Sequence, residues 1–174
     1  DLALVQWTGT GPNQPPVVTA GPDQTLSFQA NLLRNGGNDE TLVNGQLPGW
    51  SVVSGSWTQA QPGLSGFPLP DRGVSYFVAS SGVTAELRQD VDVSAYAGGI
   101  DSGQQTFKFE GMIRRADETP GDQPGIILDM LGSTGQVLQS VPVNGSATAT
   151  AWSSVTTGFG FHAPATTRTI RVRL

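Results

Sequence analysis

The chain has 174 residues, enough for one domain or for one domain with an arm. It carries 23 Gly and 12 Pro but only 13% charged residues, against about 25% in ordinary globular chains, which argues against long charged helices and for short strands joined by tight turns. The net charge is −5 and Lys108 is the single lysine, so the basic field of a nucleic-acid binder is missing, and with no Cys there is no disulfide framework, thiol nucleophile or cysteine zinc site.

In chain order, residues 1–8 come first. They contain Leu2-Ala3-Leu4-Val5-Gln6-Trp7, a short apolar stretch without helical period that reads as a strand. Residues 9–24, GTGPNQPPVVTAGPDQ, are rich in Pro and Gly and read as an extended, semi-stiff linker. Residues 25–174 form the globular body, and 37% hydrophobic residues suffice for one core. No apolar run approaches the roughly 20 residues that cross a bilayer, so no membrane span is expected. The chain starts at Asp1 with no leader and is read as the mature part of an exported protein, extracellular at a bacterial surface.

Within the body, period-two alternation places Leu87, Gln89, Val91 and Val93 opposite Glu86, Arg88, Asp90 and Asp92. It places Phe107, Phe109, Gly111 and Ile113 opposite Lys108, Glu110, Met112 and Arg114, and Ile170, Val172 and Leu174 opposite Thr169, Arg171 and Arg173. Each is a strand with one buried and one wet face. Ile126–Leu131 is apolar on nearly both sides and is expected as a central strand. Further strands are expected at Ala30–Arg34, Trp50–Val53, Val74–Ala79, Gln136–Val141, Thr148–Val155 and Phe159–His162, and a helical turn at Ser94–Ala97. Turn signals such as Asn35-Gly36-Gly37, Pro48-Gly49 and Asn144-Gly145-Ser146 separate them. The expected fold is all-β: a two-sheet antiparallel β-sandwich of jelly-roll type with an extended N-terminal strand arm.

Catalytic chemistry is hard to assemble from these residues. His162 is the only histidine and falls at a strand end, no nucleophile elbow occurs, and Glu86 and Glu110 sit at outward strand positions. The chain is therefore expected not to be an enzyme. The loop Asn35-Gly36-Gly37-Asn38-Asp39-Glu40 packs carboxylate, amide and carbonyl oxygens beside glycines, which suits calcium as well as it suits a plain polar turn. The acidic loop with Asp117, Glu118 and Asp122 is read as a solvated turn. Trp57, Trp152, Tyr76 and Tyr96 are candidates for stacking on sugars. Trp50, after Pro48-Gly49, is assigned to packing.

From Asn31-Leu32-Leu33-Arg34-Asn35-Gly36-Gly37, Gly49-Trp50-Ser51-Val52, Leu87–Val93, Ile127–Leu131 and Thr167–Val172, the body resembles the galactose-binding-like jelly roll of bacterial carbohydrate-binding modules and surface proteins. Pro15–Thr25 resembles the entry strand of immunoglobulin-like repeats in multidomain bacterial surface proteins. Jelly rolls of this kind continue past the strand matching Thr169–Leu174 into a closing strand with an acidic start. Here the chain stops at Leu174, and Asp1-Leu2-Ala3-Leu4-Val5 looks like that closing strand at the other end. The resemblance also implies a structural calcium held by Asn35, Asp39 and Glu40 together with Asp1 of the strand that closes the sandwich.

A sandwich lacking a strand exposes edges that template pairing. Leu2, Leu4, Val5 and Trp7 would fill the slot, either in their own body, in the next copy, or as the end of a preceding tandem domain. The expectation is a non-enzymatic extracellular structural subunit of a bacterial surface fibre, partnered by copies of itself head to tail. The alternative is a carbohydrate-binding module of a larger secreted enzyme or adhesin, binding polysaccharide through Trp57, Trp152 and Tyr76.

Overall fold

The two-residue alternation becomes backbone pairing in the computed structural model, which describes residues 31–60, 68–79, 84–116 and 123–174. The strands are β1 (Ser51–Ser54), β2 (Trp57–Ala60), β3 (Tyr76–Ala79), β4 (Glu86–Asp92), β5 (Thr106–Phe107), β6 (Glu110–Ile113), β7 (Ile126–Gly132), β8 (Val137–Val143), β9 (Ser153–Thr156), β10 (Phe161–His162) and β11 (Thr167–Arg173). A 3₁₀ turn (Ser94–Tyr96) runs into the short helix α1 (Ala97–Asp101). The chain is an all-β sandwich.

One layer is a continuous antiparallel sheet in the order β1-β4-β11-β7-β8. Register places Ile170 between Val91 and Met130, and Val172 between Gln89 and Leu128. The same parity sends Leu87, Val93, Leu128, Met130, Ile170 and Val172 into the core, where all are buried. Each such side chain contributes about 1.5–3 kcal/mol relative to exposure. The opposite parity forms the outer face. There Arg171 and Asp90 are cross-strand partners joined by two hydrogen bonds of 2.7 and 2.8 Å. Arg173 Nε lies 2.8 Å from Asp129, an ion pair whose N–H is not aligned for a hydrogen bond. Ser140 donates to the same carboxylate at 2.5 Å. Asp129 is buried on this face, where those two groups meet its carboxyl oxygens.

The other layer is interrupted. It consists of the pairs β2–β3, β6–β9 and β5–β10, and among the described residues no ladder joins one pair to the next. Phe77, Phe107 and Phe161 from these pairs, and Phe109 between β5 and β6, pack against the buried core. Ile100 of α1 is buried in that core as well.

Four expectations change in detail. Asn31–Arg34 joins no ladder among the described residues; Arg34 is held instead by Gln89, which accepts from its N–H at 2.8 Å and donates to its carbonyl at 2.9 Å. The expected strand across Phe107–Ile113 breaks at Lys108–Phe109, where the Phe109 backbone turns to Thr157. The strand expected from Thr148 starts only at Ser153, because the Thr148 hydroxyl closes a turn with Ala151. Trp57–Ala60 is a strand that the sequence pattern does not announce. Residues 1–30, with Asp1, Leu2, Leu4, Val5 and Trp7, and the acidic loop at 117–122 lie outside the described residues.

Candidate functional site

The loop Asn35–Glu40 owes its shape to asparagines in left-handed conformations, Asn35 at φ 50° and Asn38 at φ 58°, which Asn tolerates better than most residues. Asn35 pins the loop: its Oδ1 accepts from the Glu40 N–H at 3.0 Å and its Nδ2 donates to the Pro48 carbonyl at 3.1 Å. The Glu40 carboxylate pairs with Arg34 at 3.1 Å. Two of the four side chains predicted as metal ligands, Asn35 and Glu40, are therefore engaged by protein groups, and Asp1 lies outside the described residues.

Asp39 is placed differently. Its Oδ1 accepts from the N–H groups of Val74, at 2.8 Å, and Ser75, at 3.1 Å, so it ties the loop to the entry of β3. Its Oδ2 sits where Gly37 and Gly73 have no side chain; a Cβ there would come within 2.7 and 2.5 Å of it. Next to it Asn38 is fully buried. Asn38 Nδ2 donates to the Tyr76 carbonyl at 3.0 Å, while its Oδ1 is buried without a partner.

Oxygens gather around Gln59 on β2. Its Nε2 donates to the Glu40 carbonyl at 3.0 Å and to the Asn38 carbonyl, and lies 3.3 Å from Ser75 Oγ. Ser75 Oγ also donates to the Asn38 carbonyl. The two N–H hydrogens of the Gln59 amide and the Ser75 hydroxyl thus tie the Asn38 and Glu40 carbonyls to β2 and to the entry of β3. Gln59 and Ser75 escaped the sequence reading because they lie 21 and 37 residues from Asn38, with no local motif linking them. Among the described residues, no three His, Cys, Asp or Glu side chains converge on a common point.

Of the four sugar candidates, the structure brings only Tyr76 and Trp152 together. Trp57 pairs with Ala79 while Tyr76 pairs with Ala60, so the two aromatics project from opposite faces of the β2–β3 ladder. Trp57 packs against the core and its indole nitrogen is buried. Tyr76 and Trp152 meet edge to face, centroids 5.0 Å apart. The Tyr76 hydroxyl donates to the Pro68 carbonyl at 3.1 Å and Trp152 Nε1 to the Leu69 carbonyl at 2.8 Å. Leu69 itself stands out at 71% exposure. Burial pushes the Tyr76 phenol pKa above its ordinary value, and the nearby Arg114 guanidinium pulls it the other way. The pair thus bridges β3 to the segment before β9 through side chains, with an apolar residue beside it. Tyr96 instead meets Phe107 edge to face at 6.0 Å.

Trp50 is buried, stacks edge to face on Phe77 at 5.0 Å and donates to the Asn35 carbonyl at 3.2 Å, which is the packing role expected of it. His162 Nδ1 lies 3.1 Å from the Gln105 carbonyl at the end of β10. On the outer face of the continuous sheet a cleft of about 660 Å³ is lined by Asp90, Asp92, Arg168, Thr169 and Arg171, among others. Both arginines there are already matched, Arg171 by Asp90 and Arg168 by Asp101.

No protein-family model and no curated protein matches the chain. Among solved structures, the enzymatically active domain of tailspike protein 4 from bacteriophage CBA120 aligns with 82% of this chain at 12% identity and a TM-score of 0.46. This chain spans 18% of the length of that one.

Proposed function

We propose that this chain is a non-enzymatic structural module of a bacterial extracellular fibre, a jelly roll of galactose-binding-like type whose second layer is completed by residues 1–7 of a neighbouring copy. The observation that carries the reading is the contrast, among the described residues, between a continuous five-stranded sheet and an opposing layer of three unjoined pairs. Asn31–Arg34 has a strand-like sequence and no ladder partner among the described residues, its Arg34 backbone being held by the Gln89 side chain of β4. A donated strand supplies backbone hydrogen bonds there and buries Leu2, Leu4, Val5 and Trp7 at about 1.5–3 kcal/mol each if fully covered. A linker of residues 9–24 reaches on the order of 50 Å when extended, enough to cross to a neighbour.

Deleting residues 1–8 tests it. The full chain is expected to form filaments in electron micrographs, and the deletion to leave monomers that a synthetic peptide of residues 1–8 stabilises. Filaments from the deletion, or a melting temperature that the peptide leaves unmoved, overturn the proposal.

A calcium ion is part of this reading. Asp39 Oδ2 and Asn38 Oδ1, which has no partner among the described residues, are oxygens of the type that holds such a cation, whereas the Asn35 and Glu40 side chains and carbonyls are engaged by protein groups. Asp1 of the incoming strand would add a second carboxylate. The expected outcome is a melting temperature lowered by chelator and restored by Ca²⁺; no shift removes the ion from the proposal.

One observation favours a second reading, polysaccharide binding: Tyr76 and Trp152 stand together at the surface with Leu69 beside them. It predicts retention on a polysaccharide column that Trp152→Ala abolishes. Unchanged retention of the variant counts against this site.

A further inference from the structure

The sequence contains three Asn-Gly pairs, at Asn35, Asn44 and Asn144, and the fold treats them differently. Asn-Gly is the pair most open to spontaneous deamidation, because glycine leaves its own backbone nitrogen free to approach the asparagine side chain. At Asn35 the side-chain amide is held at both ends, by the Glu40 N–H and the Pro48 carbonyl. At Asn144 the obstacle is the glycine: a Cβ on Gly145 would lie 2.2 Å from Val155 and 3.4 Å from Ile113, so this backbone is pressed onto the core.

Asn44 has neither restraint. It and Gly45, at φ 51° and 75°, are the two central residues of a tight hairpin closed by the mutual hydrogen bonds of Val43 and Gln46. Asn44 is exposed and, among the described residues, its side chain has no hydrogen-bond partner. Nothing lies within 4 Å of where a Gly45 side chain would be. We propose that Asn44 is a self-modification site of the folded protein: it deamidates through a cyclic imide, while Asn35 and Asn144 are protected. The Gly45 nitrogen bonds to the Asn44 side-chain carbonyl carbon, the carbon–nitrogen bond of the amide breaks, and ammonia leaves. Water then opens the ring at either carbonyl, giving aspartate or isoaspartate. The product places a new negative charge at the hairpin tip.

The test incubates the full chain at mildly alkaline pH, folded and in denaturant, and follows each Asn-Gly peptide by mass spectrometry with isoaspartate detection. In denaturant the three sites are expected to react at comparable rates. In the folded chain Asn44 is expected to lead, with Asn35 slowed roughly tenfold or more by the two hydrogen bonds that must first break. Asn44→Gln is expected to remove most of the isoaspartate from the folded protein. Equal rates at Asn35 or Asn144 in the folded chain, an unreactive Asn44 there, or isoaspartate that survives Asn44→Gln overturns the assignment.

Discussion

The two layers of this sandwich use similar residues and are held together by different means. In the continuous sheet, neighbouring strands satisfy each other's backbone groups, and Val91, Ile170 and Met130 line up across three of them. In the interrupted layer each ladder joins only two strands, and side-chain hydrogen bonds to backbone groups add links beyond the ladders: Thr157 to Phe109, Trp152 to Leu69, Tyr76 to Pro68, Gln59 to Glu40. Ladder pairing is cooperative along a strand, whereas each of these links stands on one or two hydrogen bonds.

That contrast yields graded outcomes. Leu128→Ala empties a fully enclosed site in the continuous sheet and is expected to lower stability by about 2–5 kcal/mol, read as a fall in urea midpoint. Val52→Ala on the edge strand β1, where Val52 is 52% exposed, is expected to change it by no more than about 0.5 kcal/mol. Similar losses for the two would mean that burial does not set the cost within this sheet. In the interrupted layer, Thr157→Val removes the acceptor of the half-buried Phe109 N–H and is expected to cost about 1–2 kcal/mol. The Phe109 amide should exchange with solvent faster while the β4 and β11 amides keep their protection. Uniform loss of protection would show that both layers open together.

Much of the continuous sheet was legible from residue order. The alternation in Leu87–Val93 and Thr169–Leu174, and the unbroken apolar run Ile126–Leu131, each report one strand's faces, and burial follows them residue by residue. The interrupted layer was less so, because many of its links run from side chains to backbone groups of other segments. Gln89 sits in the core-facing register of β4, and nothing near it tells that its amide will clasp Arg34, 55 residues away. Tyr76 and Trp152 were legible as aromatics, but not as a pair, and the Asn35–Glu40 loop was legible as oxygen-rich but not as a loop whose Asn35 and Glu40 side chains are occupied by Pro48 and Arg34. Trp57 shows the reverse limit: composition alone could not tell a surface indole from one packed on the core.

The smallest expected effect comes from the charged outer face of the continuous sheet. Asp90 is held below the usual carboxylate range mainly by its hydrogen bonds to Arg171, against the opposing effect of partial burial. A carboxylate whose folded pKa is depressed stabilises the fold fully above its unfolded value, about 3.9. That contribution disappears as pH falls through the lower folded value. The side chain is 44% exposed, so solvent screening keeps the effect to no more than about 1 kcal/mol. Asp90→Asn should therefore be less stable than the parent at pH 7, with the gap constant down to about pH 5 and closing towards pH 2 as the parent's carboxylate protonates. Urea unfolding across that range measures it. A gap that persists unchanged at low pH would mean that Asp90 supports the sheet through shape or packing, and that the Arg171 pair adds nothing to the ladder beneath it.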